Sequence, residues 1–395
     1  MEHIYEWSKR KINRTDMRLK RYLFDRINRN DRLIVLLGAR GTGKTTLQLQ
    51  YLKEDASTNS VYVSLDDLYF SNHSLVSFAE DFAKHDGTHL YIDEVHKYAN
   101  WSQEVKNIYD NFPELKMIVT GSSMTEIYKG QGDLSRRGLI YHLNGLSFRE
   151  YLILHHNIVL ERYTLNDILT NHEKIAADIC SKIKPLKYFG DYLKTGYYPF
   201  YKEVESGYAQ RIRQIINMLV ETDIPSVFNV EYSAVVNIKK LLAVICELVP
   251  FKPNVMKLSE QLHLSRETTV RYLQYLDKAD VIKLLYSEGR GDNVMQKPDK
   301  IYLQNPNLLY SLASSRPDIG NVRETFFINQ MSVNHSVNYT KQGDFLIDKT
   351  FTFEVGGQHK NNAQIYDVKN AFIAADNLEY GFGNKIPLWM FGLMY

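Results

Sequence analysis

The sequence predicts an α/β fold built on a parallel sheet, and three observations predict it. Short runs rich in Val, Ile, Leu and Tyr recur between residues 32 and 143, each followed by a polar or glycine-bearing break. Stretches with helical spacing lie among them, at Thr45–Leu52, His73–Phe82 and Trp101–Asn111. One run, Leu33–Leu37, opens directly onto Gly38-Ala39-Arg40-Gly41-Thr42-Gly43-Lys44-Thr45. Apolar strands separated by crossover helices are what a parallel sheet covered on both faces requires.

The elements follow in order. Residues 1–30 are expected to form a basic N-terminal helix, since ten Lys and Arg fall between Lys9 and Arg32 and Met17, Tyr22, Leu23 and Ile27 make a narrow apolar stripe. Such a helix leans on the next domain with its charges solvated, or it meets a phosphate backbone or a partner. Strands are expected at Leu33–Leu37, Ser60–Leu65, His89–Ile92, Met117–Val119 and Leu139–Leu143, giving a nucleotide-binding domain over 31–155. Ser147-Phe-Arg-Glu150 reads as a capping box, and helices follow to about Leu248, broken at Gly196, Pro199 and Pro225. This is a helical lid or linker over 156–249.

Pro250–Pro253 marks a boundary, because proline disfavours helix in the residue before it. Lys257–Leu264 and Arg266–Asp277 then read as helix–turn–helix, with Leu258, Leu262, Leu264, Val270, Leu273 and Leu276 as its core. Strands at Val281–Leu285 and Lys300–Leu303, joined by the polar loop Ser287–Pro298, complete a winged helix over 250–310. The region 320–395 reads as a small α/β domain: a helix at Arg323–Met331, strands at Asp344–Ile347 and Thr350–Val355, a helix near Ala363–Phe372 and a strand near Pro387–Phe391.

Composition narrows the class. With 44% hydrophobic and 24% charged residues, disorder and fibrous repeats are excluded. Lys and Arg number 48 against 46 Asp and Glu, so the formal charge of +2 carries no global footprint for nucleic acid or anionic lipid. The two cysteines, Cys180 and Cys246, have neither disulfide-scaffold nor zinc spacing, and a reducing cytoplasmic setting is expected. The longest apolar runs are far too short to cross a bilayer, so no membrane partner is expected.

The chemistry is concentrated in three strand ends. Gly38–Thr45 matches Gly-x4-Gly-Lys-Ser/Thr between a strand and a helix, the context in which that pattern cradles phosphate. Glycines let backbone N–H groups curl around phosphate oxygens, and the helix N-terminus adds its dipole. Gly38, Ala39, Arg40, Gly41, Thr42, Gly43, Lys44, Thr45 and Thr46 are therefore the candidate nucleotide contacts. Lys44 is placed to reach the β- and γ-phosphates, and Thr45 to put its hydroxyl on Mg²⁺. The run His89–Ile92 ends in Asp93 and Glu94. Asp93 is the second candidate for the metal shell, and Glu94 is the candidate base that polarises an attacking water. A third strand ends at Thr120-Gly-Ser122-Ser123, where Thr120 is a candidate γ-phosphate sensor or water holder. Arg136 and Arg137 precede the last strand; an arginine there stabilises charge on a transferring phosphoryl group from within the chain or from a neighbour, or else it is a surface cation.

Together these segments resemble a family of bacterial and archaeal AAA-type P-loop ATPases with a C-terminal domain of unknown function. The matching residues are Gly38, Arg40, Gly43, Lys44 and Thr45, then Tyr91–Glu94, Val119–Ser123 and Arg137, with Leu146–Tyr151 and Tyr192–Pro199 beyond them. The resemblance implies a sheet of order 5-1-4-3-2, a helical lid, a winged helix and a terminal domain similar to restriction endonucleases. It implies ATP with Mg²⁺ as the bound nucleotide. It also aligns Glu324, Asp344 and Glu354 with the carboxylates of such nucleases, but Gly356 stands where their lysine stands, leaving Lys360 as the downstream cation. A catalytically dead domain is therefore expected there.

The expected function is an ATP-hydrolysing switch in which nucleotide state moves lid and winged helix. The alternative is a nucleotide-gated regulator of double-stranded DNA, read by Ser265, Arg266, Thr268, Thr269 and Arg271; an ATPase-coupled nuclease is the third. A protein partner or self-association is compatible with all three.

Overall fold

The apolar runs of the N-terminal third become β1 (Leu33–Leu37), β2 (Ser60–Ser64), β3 (His89–Asp93), β4 (Lys116–Thr120) and β5 (Leu139–His142). Every pairing among them is parallel, and the order is β2-β3-β4-β1-β5, the expected 5-1-4-3-2 read from the other edge. The computed structural model describes residues 2–55, 59–124, 134, 136–289 and 297–395. These form two units, Met1–Gly145 and Leu146–Tyr395.

In the first unit the alternation along each strand decides which helix it meets. Leu33, Val35 and Leu37 of β1, with Val61, Val63, Leu90, Ile92, Met117 and Val119, pack in one cluster. The helices that cover this face are α3 (Leu75–Lys84), through Phe78 and Phe82, and α4 (Trp101–Asn111), through Trp101, Val105 and Ile108. Helix α2 (Lys44–Glu54) is tied to the sheet by Gln48, whose amide donates to the carbonyls of Ile92 and Ile118 at 3.2 and 2.9 Å. Helix α1 (Glu2–Arg14) lies along edge strand β2, where the Ser8 hydroxyl accepts from the Tyr62 N–H at 3.0 Å. That bond occupies an edge donor which would otherwise template another strand.

The expected basic helix over 1–30 is shorter than its pattern suggests. It ends at Arg14 because Asp16 turns the chain: its Oδ1 accepts from the Arg18 N–H at 2.9 Å, a local bond that competes with the helix ladder. Tyr22, Leu23 and Ile27 are buried, but from a series of turns rather than from a helical stripe. Gln50 of α2 holds the turn segment by donating to the carbonyls of Asp16 and Leu19, both at 2.8 Å.

The second unit opens on α5 (Phe148–His156), whose expected capping box is present: Ser147 accepts from the Glu150 N–H, and Glu150 accepts from the Ser147 N–H. Helices α6 (Leu165–Lys182) and α7 (Pro185–Thr195) follow. Next comes a continuous coil of α8 (Tyr208–Met218), a π-turn at Leu219–Asp223 and α9 (Ile224–Phe228). Pro225 lacks the N–H that an α-ladder would use, and the wider turn sits just before it. After α10 (Tyr232–Leu248) come α11 (Val255–Leu262) and α12 (Arg266–Lys278). The antiparallel pair β6 (Ile282–Leu285) and β7 (Lys300–Leu303) follows; of the loop joining them, 290–296 lies outside the described residues.

Helices α13 (Pro306–Leu312) and α14 (Ile319–Met331) lead into the final mixed sheet, of order β12-β11-β10-β9-β8. Its strands are β8 (Val337–Tyr339), β9 (Phe345–Ile347), β10 (Phe351–Gly356), β11 (Ala371–Ala375) and β12 (Lys385–Pro387). Two expectations fail here. The helix near Ala363–Phe372 is instead a run of turns into β11. Asn370, with φ +54°, re-aims the chain, and Ile365 and Val368 are met by Ile373 and Ala371 of β11 rather than along a helix face. The strand near Pro387–Phe391 stops at Pro387, which cannot donate to a ladder, and a 3-10 turn (Leu388–Leu393) replaces it.

The two sequence motifs of this unit turn out to be its core. Phe148 and Tyr151 meet Phe189 and Tyr192, with Phe148–Phe189 centroids 5.3 Å apart. Asn307 accepts from the Tyr197 N–H and the Tyr208 hydroxyl, and donates to the carbonyls of Tyr192 and Leu193. Among the described residues no helix is long and apolar enough to cross a membrane.

Candidate nucleotide site

The glycine-rich segment leaves β1 at its carboxyl end and enters α2 at Lys44. At Gly38 a Cβ would collide with the Leu143 carbonyl, so only glycine lets the loop begin there. Gly43 caps α2 with φ +96°, a conformation costly for any residue with a Cβ. The loop is held from within: the Thr42 hydroxyl donates to the Ala39 carbonyl at 2.9 Å, and the Lys44 ammonium donates to the carbonyls of Gly38 and Ala39 at 2.8 and 3.0 Å. It is also held from outside. Arg21, buried, donates to the carbonyl of Thr42 at 2.5 Å and to those of Asn144 and Gly145 at 2.7 and 2.9 Å. Gly41 and Thr46 stay exposed, Thr46 on the first turn of α2.

Asp93 is the centre of the site. It ends β3 with only 2% of its surface exposed. Its Oδ2 accepts from the Thr45 hydroxyl at 2.7 Å and from the Tyr62 hydroxyl at 2.8 Å. Its Oδ1 accepts from the Thr120 hydroxyl. A buried carboxylate is tolerated when its lone pairs are filled in this way. Thr120 also accepts from the Glu94 N–H at 3.2 Å, so one threonine fixes both acidic residues. The Tyr62 phenol is pushed up by burial and by Asp93, so it stays a donor. The Lys11 ammonium of α1 donates to the same phenol at 3.2 Å.

Glu94 adopts φ +55°, rare for a residue with a side chain and typical of functional turns. Burial pushes its carboxyl up, Asp93 adds to that, and Lys44 and Arg40 oppose it. Its Oε2 lies 3.4 Å from His96 Nε2, which lies 3.3 Å from the Arg40 guanidinium.

Most sequence-expected residues therefore converge: the loop Gly38–Thr45, then Asp93, Glu94 and Thr120, all at the carboxyl edge of the sheet. Thr45 and Asp93 bring hard oxygen donors together, and these are the two side chains here that could hold a Mg²⁺ ion. Arg137 does not converge. In the parallel register Ile34 faces Leu139, and Gly138 lies against Leu33, so Arg137 sits at the amino edge of the sheet. Five strand residues at about 3.3 Å each put it roughly 16 Å from the loop. There it forms a two-pronged pair with Asp110 of α4, at 2.9 and 3.1 Å. The expectation that Arg137 acts on phosphate within the chain is thereby corrected. Arg136 is exposed beside it, and Ser135 lies outside the described residues. Tyr62, Lys11, Arg21 and His96 join the site without a motif to mark them. His96 alone left a signal, as a titratable side chain two residues after Glu94.

The second acidic set also gathers, in the second unit. Glu324 of α14 receives the Lys300 ammonium at 2.5 Å and the Tyr302 hydroxyl at 2.8 Å. Asp344, 3.9 Å from Lys300, accepts from the Val355 N–H at 2.9 Å. Burial and the neighbouring Glu324 push it up to about 6. Glu354 is paired with Lys360, whose stem crosses the space that a side chain at Gly356 would fill. Among the described residues no group of three His, Cys, Asp or Glu is arranged to hold a metal ion.

Residues 30–152 match the family model of the AAA domain. Residues 186–318 match a model described as a domain of unknown function. An uncharacterized protein of Methanocaldococcus jannaschii is 28% identical over an alignment of 297 positions that covers 70% of this chain and 62% of that relative. AMPPCP-bound DnaA from Aquifex aeolicus is similar at 12% identity and a TM-score of 0.28, over 65% of this chain and 84% of that one. A structure of katanin, on the basis of its self-assembly, is similar at 13% identity and a TM-score of 0.29, over 62% of this chain and 78% of that one. These scores are too low to bear on the fold, which the strand order and the phosphate loop define as that of a P-loop NTPase.

The raised Glu94 carboxyl has a consequence for stability. A carboxyl whose folded pKa lies above its unfolded one stabilises the fold at low pH and loses that contribution as pH rises through the folded value. Glu94→Gln, neutral throughout, is therefore expected to melt higher than the parent chain near pH 8 and no higher near pH 4, at about the unfolded carboxyl value. Thermal unfolding at the two pH values checks this, and an equal shift at both contradicts it.

Proposed function

We propose that the first unit binds ATP with Mg²⁺ and hydrolyses it, and that nucleotide state drives a change felt by the helices and the β6–β7 pair of the second unit. One observation carries the reading: the phosphate loop, Asp93, Glu94 and Thr120 meet at one sheet edge through direct hydrogen bonds. Thr45 and Asp93 would hold the metal, whose chemistry is to neutralise charge on the β- and γ-phosphates. Lys44 would turn its ammonium from the loop carbonyls to phosphate oxygens, and the loop amides would donate to them. Glu94, fixed through its N–H, would orient a water, and Thr120 would hold that geometry. We place this chemistry in the cytoplasm, on the cysteine usage alone.

A DNA-reading role for α11 and α12 is the second reading. Arg266 and Arg271 favour it, since both are exposed on the first half of α12. Fewer side chains are available than the sequence suggests. Thr269 is buried, and Ser265 caps α12 by accepting from the Thr268 N–H. A nuclease role for the second acidic set is disfavoured, because Lys300 and Lys360 neutralise Glu324 and Glu354.

Full-length protein with Mg²⁺ and ATP, with and without duplex DNA, should release phosphate. Lys44→Ala should lose about a hundredfold or more in rate, and Glu94→Gln should retain intact ATP; equal rates in Lys44→Ala and the parent overturn the ATPase reading. Arg137, paired with Asp110 at the amino edge of the sheet, would act on phosphate from a neighbouring copy. Arg137→Ala and Lys44→Ala, each weak alone, should then regain turnover when mixed; no regain limits Arg137 to its pair with Asp110. Duplex affinity should fall with rising salt and fall further in Arg266→Ala and Arg271→Ala. Absence of binding at low salt ends the DNA reading.

A further inference from the structure

Three residues outside the metal pair form a chain of their own. The Arg40 guanidinium, His96 Nε2 and Glu94 Oε2 succeed one another at 3.3 and 3.4 Å. The His96 side chain is 5% exposed and sits on the short turn Val95–Lys97, anchored by fully buried Val95. Glu94 is the residue from which that turn starts, and its N–H is tied to Thr120. Its backbone is therefore fixed, and only its carboxylate is left to be aimed.

One imidazole nitrogen has one hydrogen-bonding role at a time. Bare, Nε2 accepts from Arg40. Carrying the hydrogen, it donates to Glu94. A neutral ring cannot satisfy both. We propose that His96 is a positioning residue that couples occupancy of the phosphate loop to the orientation of Glu94, by handing Nε2 from Arg40 to the carboxylate. The inference rests on the ATPase reading. Arg40 belongs to the phosphate loop, and a guanidinium binds phosphate oxygens in preference to an imidazole nitrogen. When phosphate draws Arg40 away, the ring hydrogen relocates from Nδ1, which is buried, to Nε2 by exchange with water during brief openings of the Val95–Lys97 turn, with no change of net charge. Nε2–H then holds Glu94 in one orientation. When the loop holds no phosphate, Arg40 keeps the ring and the carboxylate is left unaimed.

The test uses the full chain and reads two quantities. The first is kcat beside the Kd for ATP in the presence of Mg²⁺. His96→Ala should lower kcat by roughly tenfold to a hundredfold, the usual cost of removing a group that orients another, and leave Kd within about threefold. His96→Gln, which retains a donor, should recover most of the loss. The second is the ¹⁵N spectrum of the His96 ring, assigned by its disappearance in His96→Ala. It should show Nδ1–H without nucleotide and Nε2–H with a non-hydrolysable ATP analogue. Arg40→Ala should show Nε2–H even without nucleotide. An unchanged kcat in His96→Ala, no recovery in His96→Gln, or one tautomer in both states overturns the proposal. A tautomer that switches in a protein without turnover keeps the coupling and removes the ATPase reading instead.

Discussion

The buried carboxylate of Asp93 is the constraint on which the first unit is built. Removing an ionised group from water costs several kcal/mol unless its lone pairs are filled, and here they are filled by hydroxyls from three different elements. Thr45 comes from α2, Tyr62 from β2 and Thr120 from β4. Those three elements must therefore arrive together at the end of β3. Glu94 then inherits its position: it follows Asp93, its N–H is bonded to Thr120, and its backbone turns into the left-handed region to start the next turn. Helix α1 is drawn into the same centre, since Lys11 donates to the phenol that donates to Asp93.

Strand polarity decides which residues join this centre. Every carboxyl end of the sheet lies on one edge, so the segments after β1, β3 and β4 converge there however far apart they are in the chain. Segments that precede strands lie on the other edge, and Arg137 is one of them. Its charge is matched by Asp110, which comes from the end of α4 just before β4. The second unit shows the reverse economy. Three carboxylates that the fold gathers, Glu324, Asp344 and Glu354, receive lysines from β7 and from the turn after β10. A glycine at position 356 is what admits the second of these.

Much of the fold was legible because its signals are local. Leu33–Leu37 is apolar throughout and is followed by glycine, so both the strand and the loop after it are visible in the thirteen residues Leu33–Thr45. Trp101–Asn111 carries a helical period with no breaker, and the helix has those bounds. Ser147 and Glu150 fall at the spacing of a capping box, which needs only the backbone between them. The failures are equally specific. Residues 17–27 have a helical period that Asp16 overrides with a side-chain bond. Residues 363–372 have helix formers, but packing against β11 holds them as turns. In the site, Lys44, Thr45, Asp93, Glu94 and Thr120 were legible as strand-end motifs. Tyr62 was not, because a tyrosine within a strand is ordinary, and nothing local tells that its hydroxyl reaches Asp93.

By itself, then, the sequence determined the strands, the phosphate loop and the residue types that can handle phosphate, since each is set by neighbours within a few positions. Only the tertiary structure decided which of those residues meet. It joined Tyr62 and Lys11 to Asp93, set His96 between Arg40 and Glu94, and sent Arg137 to the far edge. The reason is physical: contacts among side chains many residues apart depend on strand order, direction and register. These are fixed by burial of whole faces and by the hydrogen-bonding needs of buried charge, and no single stretch of sequence holds that information.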